Sequence, residues 1–477
     1  MMSRWKKGVL AWVAMSGVAM AQTTPNNEQL VQSFRALLSS GSDTQAVIQA
    51  VAEAVREALK QGPMTSAQAQ TALAAAPTQP ASGSSASLSG VAAALTPSKT
   101  WADAITLKGD LRYRVETRQD ASKGYAGNPD VEYERIRARL GAEAKLNDDV
   151  KAVIRLTTDG FKGTTAGGDP VSGNQDLTGL AGIKFFFLDL AYIDWNFFGE
   201  GNSELHGLAG KMVNPFITMN DDLAWDPDLT PEGAGFKGTL AVSDSLTLLG
   251  NGGYFLINNQ NNTNQDNKIT MFGLQGAVRY EFAPEAALTL GISDYCYRNV
   301  KGSPVVDWAV ASTSSGNGSS SAYGNSTAKV GSGKVTNIVW ATGFNLIQPF
   351  AQLDLYPTVF GRVVPVSVFG QLINNSDADR LNAGEMCGIS IGKAKNPQTF
   401  EVGASYAKLE KDATFGAWTD SDRWGGGTDG SGYKLYGKYM ILKNLMGSVT
   451  YFQDDKKISA ASPYDYNRWQ IDLTASF

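Results

Sequence analysis

Seven cations recur at alternate positions in the first third of the chain. Lys108, Arg112 and Arg114 share one parity, Arg135, Arg137 and Arg139 share another, and Arg155 follows. Cations so spaced point to one side of an extended segment, where they can steer or hold anions. A second set is acidic: Asp221, Asp222, Asp226, Asp228 and Glu232. It lies in residues 214–233 with Trp225 and three prolines. Two unit charges about 10 Å apart interact by about 1.7 kcal/mol at an effective dielectric of 20. Such a field orients and filters a dipolar solute without trapping it.

Other chemistry is poorly provided for. The single histidine, His206, shares the parity of Leu208 and Met212 and supplies no Ser-His pair for nucleophilic catalysis. Cys296 and Cys387 share the parity of apolar neighbours on non-adjacent segments and read as small residues of an apolar face, although one disulfide is compatible with an oxidising compartment. Asp226-x-Asp228 and Asp420-x-Asp422 each lack the full spacing of a calcium loop. Residues 425–432 are glycine-rich, but no helix follows to cradle phosphate, and the stretch reads as an outer loop. Neither an enzyme, a catalytic residue, a metal nor a cofactor is expected. A formal charge of -5 argues against a nucleic-acid partner.

The elements that position these charges are strands. In the last segment, Trp469, Ile471, Leu473, Ala475 and Phe477 alternate with Arg468, Gln470, Asp472, Thr474 and Ser476. Period-two alternation makes one apolar and one polar face. An unpaired edge of this kind invites aggregation, and a closed barrel removes it. Similar segments are 105–115, 135–146, 150–156, 185–197, 203–213, 234–242, 245–257, 268–282, 286–298, 350–356, 364–374, 384–394, 398–410, 432–443 and 445–454. The tenth, 350–356, has the alternative of starting near Val335 and bending at Gly343. The connections alternate short and long, the long ones including 160–182, 214–233, 299–349 and 411–431. The expected fold is therefore all-β: a closed antiparallel transmembrane β-barrel of about sixteen strands. Basic residues on its lipid face would cost about 2–4 kcal/mol each near the midplane, so the seven cations are assigned to the lumen.

The N-terminal part differs. Residues 1–21 read as a signal peptide: Arg4, Lys6 and Lys7, an apolar core, then Ala19-Met20-Ala21. Residues 22–76 form a short α-helical periplasmic arm with two apolar stripes, open to a coiled-coil reading. Residues 77–101 are a linker, and 102–477 the barrel.

Several stretches carry a resemblance: Trp225-Asp226-Pro227-Asp228 with Pro231-Glu232-Gly233, Pro365-Val366-Ser367-Val368, and Gly388-Ile389-Ser390-Ile391-Gly392-Lys393. Tyr406 with Leu409-Glu410-Lys411-Asp412-Ala413, Asp420-Ser421-Asp422 and the run from Tyr451-Phe452 to Phe477 complete it. Through them the chain resembles the bacterial "Putative porin" family, a branch of the sixteen-stranded porin-like proteins. The resemblance implies the bacterial outer membrane and passive diffusion of small hydrophilic solutes or ions. It also implies a third loop, with Asp221, Asp222, Asp226, Asp228 and Glu232, that folds inward to narrow the barrel and faces the basic ladder. Trp469, Ile471, Leu473 and Phe477 resemble an assembly signal read by the barrel-assembly machinery. The expected partners are outer-membrane lipid and two further copies in a homotrimer. Two alternatives stand beside general diffusion: a channel selective for anions such as phosphate, and a structural tether in which the arm contacts the cell wall.

Overall fold

The computed structural model describes residues 104–123, 130–159, 168–177, 180–258, 268–305, 322–331 and 337–477. The chain divides into Met1–Pro97 and Ser98–Phe477, and every described residue belongs to the second unit. The expectations for the leader, helical arm and linker fall on residues 1–103, outside the described residues.

Valine, isoleucine, leucine and aromatic residues at every second position favour the pleated strand. The strands are β1 Ile105–Asp120, β2 Asp130–Lys145, β3 Val150–Thr158, β4 Phe186–Glu200, β5 Ser203–Lys211, β6 Glu232–Ala241, β7 Leu246–Asn258 and β8 Ile269–Ala283. There follow β9 Ala286–Arg298, β10 Asn345–Leu355, β11 Val366–Asn375, β12 Ala383–Gly392, β13 Phe400–Leu409, β14 Gly430–Leu442, β15 Leu445–Lys456 and β16 Tyr464–Ser476. Each pairs antiparallel with the next. β1 also pairs with β16, from Asp110↔Ser476 to Asp120↔Tyr466, so the sheet is a closed barrel. The seam continues past β16, where Gly109 and Phe477 exchange two backbone hydrogen bonds of 3.0 Å. A side chain at Gly109 would collide with the Phe477 ring, which lies directly over it.

The tenth strand corrects the sequence reading. It begins at Asn345, not at residue 350 and not near Val335. Asn337–Trp340 pairs instead with Thr327–Val330 in a hairpin of the preceding loop. Pro349 hid the start. Proline cannot donate to a ladder and reads as a strand break, and the pairing with β11 lapses at Gln348 and Pro349.

The two faces differ as the alternation requires. Leu107, Leu111, Leu274, Leu290, Leu435 and Ile471 are exposed on the outside. Arg114, Glu116, Gln275, Gln371 and Arg468 are buried on the inside. Exposed aromatics collect near both ends of the outer face. Phe198, Phe282, Phe400, Tyr439 and Phe477 lie by the short turns, and Phe186, Tyr254, Phe272 and Tyr433 by the long loops. Two such girdles mark the interfaces of a membrane barrel. No helix among the described residues is long and apolar enough to cross a membrane; the strands are the spanning elements. Both cysteines are free, on the non-adjacent β9 and β12.

Neighbouring residues of β15 test this orientation. Val449 is exposed outside, whereas Ser448 takes the inner parity opposite Asp472. Val449→Arg should cost about 2–4 kcal/mol in a denaturant titration in lipid, the penalty for a cation on the lipid face. Ser448→Arg should unfold like the parent. The reverse order would mean that the faces are wrongly assigned.

Candidate functional site

The third long connection, residues 212–231, runs from β5 into the barrel. Its sequence explains the path. Phe216, Leu223, Trp225 and Leu229 are too apolar to stay in water, and all four are buried. They meet lumen-facing apolar residues of the strands, Phe255, Met271, Tyr295, Phe369 and Met386, in one cluster. Trp225 sits at its centre. Its ring is 5.3 Å from Phe216, 5.5 Å from Tyr295 and stacked at 5.3 Å on Trp418.

A buried loop must satisfy its backbone. Two lumen-facing glutamines do this, because a primary amide both donates and accepts, and a third holds a side chain of the loop. Gln275 on β8 receives the Ile217 N–H at 2.7 Å and donates to the Ile217 carbonyl at 3.0 Å. Gln371 on β11 receives the Leu223 N–H at 3.2 Å and donates to the Asp221 carbonyl at 2.9 Å. Gln348 on β10 donates to the Asp222 carboxylate at 3.3 Å. The sequence reading passed over all three. Their signal was an uncharged amide recurring at lumen parity on β8, β10 and β11.

The acidic residues then part company. Asp228 reaches the basic wall, 2.8 Å from Arg139 and 3.4 Å from Arg137. Asp221 reaches a different wall, accepting from Arg423 at 2.7 Å, Ser405 at 3.2 Å and Lys434 at 3.4 Å. Asp222 accepts the N–H groups of Ala224 and Trp225, and Asp226 those of Asp228 and Ser421. Glu232 is not in the loop at all. It opens β6, exposed, on the parity of Phe236 and Leu240, and pairs with Lys211 at 3.2 Å. The expected acidic face opposite the basic ladder is therefore corrected: of the five residues only Asp228 meets it.

The environments set different charges. Burial pushes the Asp222 carboxyl up to about 7, and its hydrogen bonds only partly oppose that. Burial, then Asp420 and Asp228, raises Asp226 well above the carboxylate range. At Asp228 burial acts upward, but Arg139, Arg137 and Arg112 outweigh it and hold the group low. Asp221 is likewise held low by Lys434 and Arg423 against burial.

The basic ladder carries less free charge than its sequence suggests. Lys108 pairs with Glu143 at 2.7 Å, Arg114 with Asp472 at 2.6 Å, Arg135 with Asp176 at 2.7 Å, Arg137 with Asp110 at 2.9 Å and Arg155 with Asp189 at 2.6 Å. Arg112 is the exception: it donates to Asn174 and has no carboxylate within ion-pair distance among the described residues. The partners Asp110, Asp189 and Asp472 were legible in principle, since each stands on or beside the lumen parity of its strand.

The seventh long connection, residues 410–429 between β13 and β14, corrects another reading. It carries Asp420, Asp422 and much of the glycine-rich stretch, and was read as an outer loop. Its Phe415, Trp418, Arg423 and Trp424 are buried, and Asp226 donates its N–H to the Trp418 carbonyl at 2.7 Å. The aromatic residues explain the inward course. His206 lies elsewhere in the lumen, its Nδ1 2.6 Å from Asp194. Among the described residues no group of three acidic, histidine or cysteine side chains is placed to hold a metal ion.

Comparison with known proteins gives the chain its relatives. No curated protein matches it. Among solved structures it is similar to OprB of Pseudomonas putida, at 10% identity and TM-score 0.47, over 79% of this chain and 95% of that one. A mutant of the Rhodopseudomonas blastica porin matches at 8% identity and TM-score 0.41, over 78% of this chain and all of that one. A loop-deletion mutant of OmpT, an outer membrane protein of Vibrio cholerae, matches at 11% identity and TM-score 0.39, over 79% of this chain and all of that one. Overlaps of that quality add nothing to the site. The family model described as "Putative porin" does more, since it matches residues 125–355 and 367–477. Those residues include β2 to β16 almost whole and both inward loops, and the chain belongs to the "Putative porin" family.

Proposed function

We propose that this bacterial outer-membrane porin passes small hydrophilic solutes and ions by passive diffusion, through a lumen narrowed by its third loop. The observation that carries the reading is the position of Asp228. A loop carboxylate stands against Arg137 and Arg139 of the wall, so fixed charges of both signs border the remaining passage. Most of those charges are matched, so the net field is small and a polar solute is oriented more than it is selected by sign. A second reading, preference for anions, is favoured by Arg112, the guanidinium of the ladder without a carboxylate within ion-pair distance among the described residues. A homotrimer, as sequence reasoning expected, belongs to the same proposal.

The test is a reversal potential across a planar bilayer under a potassium chloride gradient. General diffusion predicts a potential close to zero. A strongly anion-selective potential would support the second reading. Absence of conductance from a correctly folded barrel would remove both.

A further inference from the structure

The charged contact at the middle of the third loop, at Asp221, comes from another loop as well as from a strand. Arg423 is almost wholly buried. Its Nη2 donates to Asp221 Oδ2 at 2.7 Å and to Ser405 Oγ of β13 at 2.6 Å. Two further hydrogen bonds and a ring stack join the loops. The Asp226 N–H meets the Trp418 carbonyl at 2.7 Å, and the Ser421 N–H meets Asp226 Oδ2 at 2.8 Å. The Trp225 and Trp418 rings stack at 27°. The seventh loop is in turn tied to the wall. Trp424 donates its N–H to Asp454 of β15 at 2.6 Å, and Arg468 of β16 binds the carbonyls of Ser421 and Asp422 and the Asp422 carboxylate at 2.9 Å. Gln275 and Gln371 hold the backbone of the third loop by neutral hydrogen bonds; at Asp221 Arg423 adds a charge-assisted one, the stronger kind, as Arg139 does at Asp228.

From this we infer that the seventh loop locks the third loop across the lumen, with Arg423 as the positioning residue that sets the upper size of a permeating solute. Resting on the porin reading, it adds a residue outside the third loop that controls the passage. Asp221 faces Arg423, Lys434 and Ser405, so loss of Arg423 leaves the carboxylate one cation and frees the loop to leave the wall. The strands do not depend on this contact for their pairing.

The experiment uses the full protein in planar bilayers and in liposomes swollen with sugars of increasing size, with Arg423→Gln, Arg423→Lys and Asp221→Asn beside the parent. Heat-modifiable gel mobility reports whether each barrel has folded. Large-conductance openings should become on the order of tenfold more frequent in Arg423→Gln, the change expected from losing a charged hydrogen bond. Its sugar size limit should be lost, and Arg423→Lys should restore part of it. If Arg423→Gln does not fold, Asp221→Asn, which breaks the same pair with little change of volume, carries the same expectation. A folded variant with the parent's size limit and opening frequency overturns the lock and leaves the porin reading standing. A parent that does not conduct overturns the porin reading and the lock with it.

Discussion

Asp228→Asn should shift the channel toward anions more than any other single neutralisation in the third loop. Asp228 is held in its ionised form by Arg139, Arg137 and Arg112 against its burial. Removing its charge leaves Arg139 with no carboxylate within ion-pair distance among the described residues, while Arg137 keeps Asp110. Arg112 already has none. A unit charge about 5 Å from a passing ion acts by about 3 kcal/mol at an effective dielectric of 20, so the anion-to-cation permeability ratio should rise on the order of tenfold after screening. At 1 M salt the Debye length falls to about 3 Å and the shift should shrink. Asp222→Asn is the instructive contrast. Burial raises that carboxyl to about 7, so it is neutral at pH 5 and the substitution should change nothing there. Above pH 7, where the parent group ionises, a modest shift toward anions should appear. Equal effects of the two substitutions at pH 5 would overthrow this assignment of charge.

Trp225→Ala should disorganise the inward loops while sparing the barrel. Truncating a buried tryptophan typically costs about 3–5 kcal/mol, because its neighbours collapse only partly into the space. Those neighbours are Phe216 and the strand residue Tyr295 on one side and Trp418 of the seventh loop on the other. The loss therefore falls on the packing that holds both loops inside. Protease should cut within residues 212–231 and 410–429 in the variant but not in the parent. The folded band on an unheated gel should persist, since the strands pair through their backbones. Trp195→Ala, on the exposed outer face of β4, should leave loop cleavage unchanged. Protected loops in Trp225→Ala would mean that the aromatic cluster does not anchor them.

The barrel was legible because its signal is local. Ile471, Leu473 and their alternating partners state the face of each residue within a few positions, and the same rule placed Arg112, Arg137 and Arg139 inside. Pro349 defeated it where a strand carries a residue that normally ends one. The third loop was legible only as a composition. That Asp228 would find Arg139 while Asp221 found Arg423, 202 positions away, depends on where a closed sheet brings distant segments. The same holds for the seventh loop. Glycines and aspartates suggested solvent, and the buried course follows from Phe415, Trp418 and Trp424 reaching a cluster built by the third loop and by distant strands.

The seam between β1 and β16 has a kinetic consequence. Arg114 and Asp472 meet across 358 positions of sequence, and Arg468 meets Glu116 across 352. Contacts that distant form late and slowly, since the loop they close is almost the whole barrel. Until then β1 and β16 are both open edges, liable to pair with other chains. The buried charges also proofread the closure. A slip of one residue would turn Arg468, Gln470 and Asp472 toward lipid and leave Arg114 and Glu116 unmatched inside. A misregistered seam is then too costly to persist, and the barrel stays open until the correct register is found.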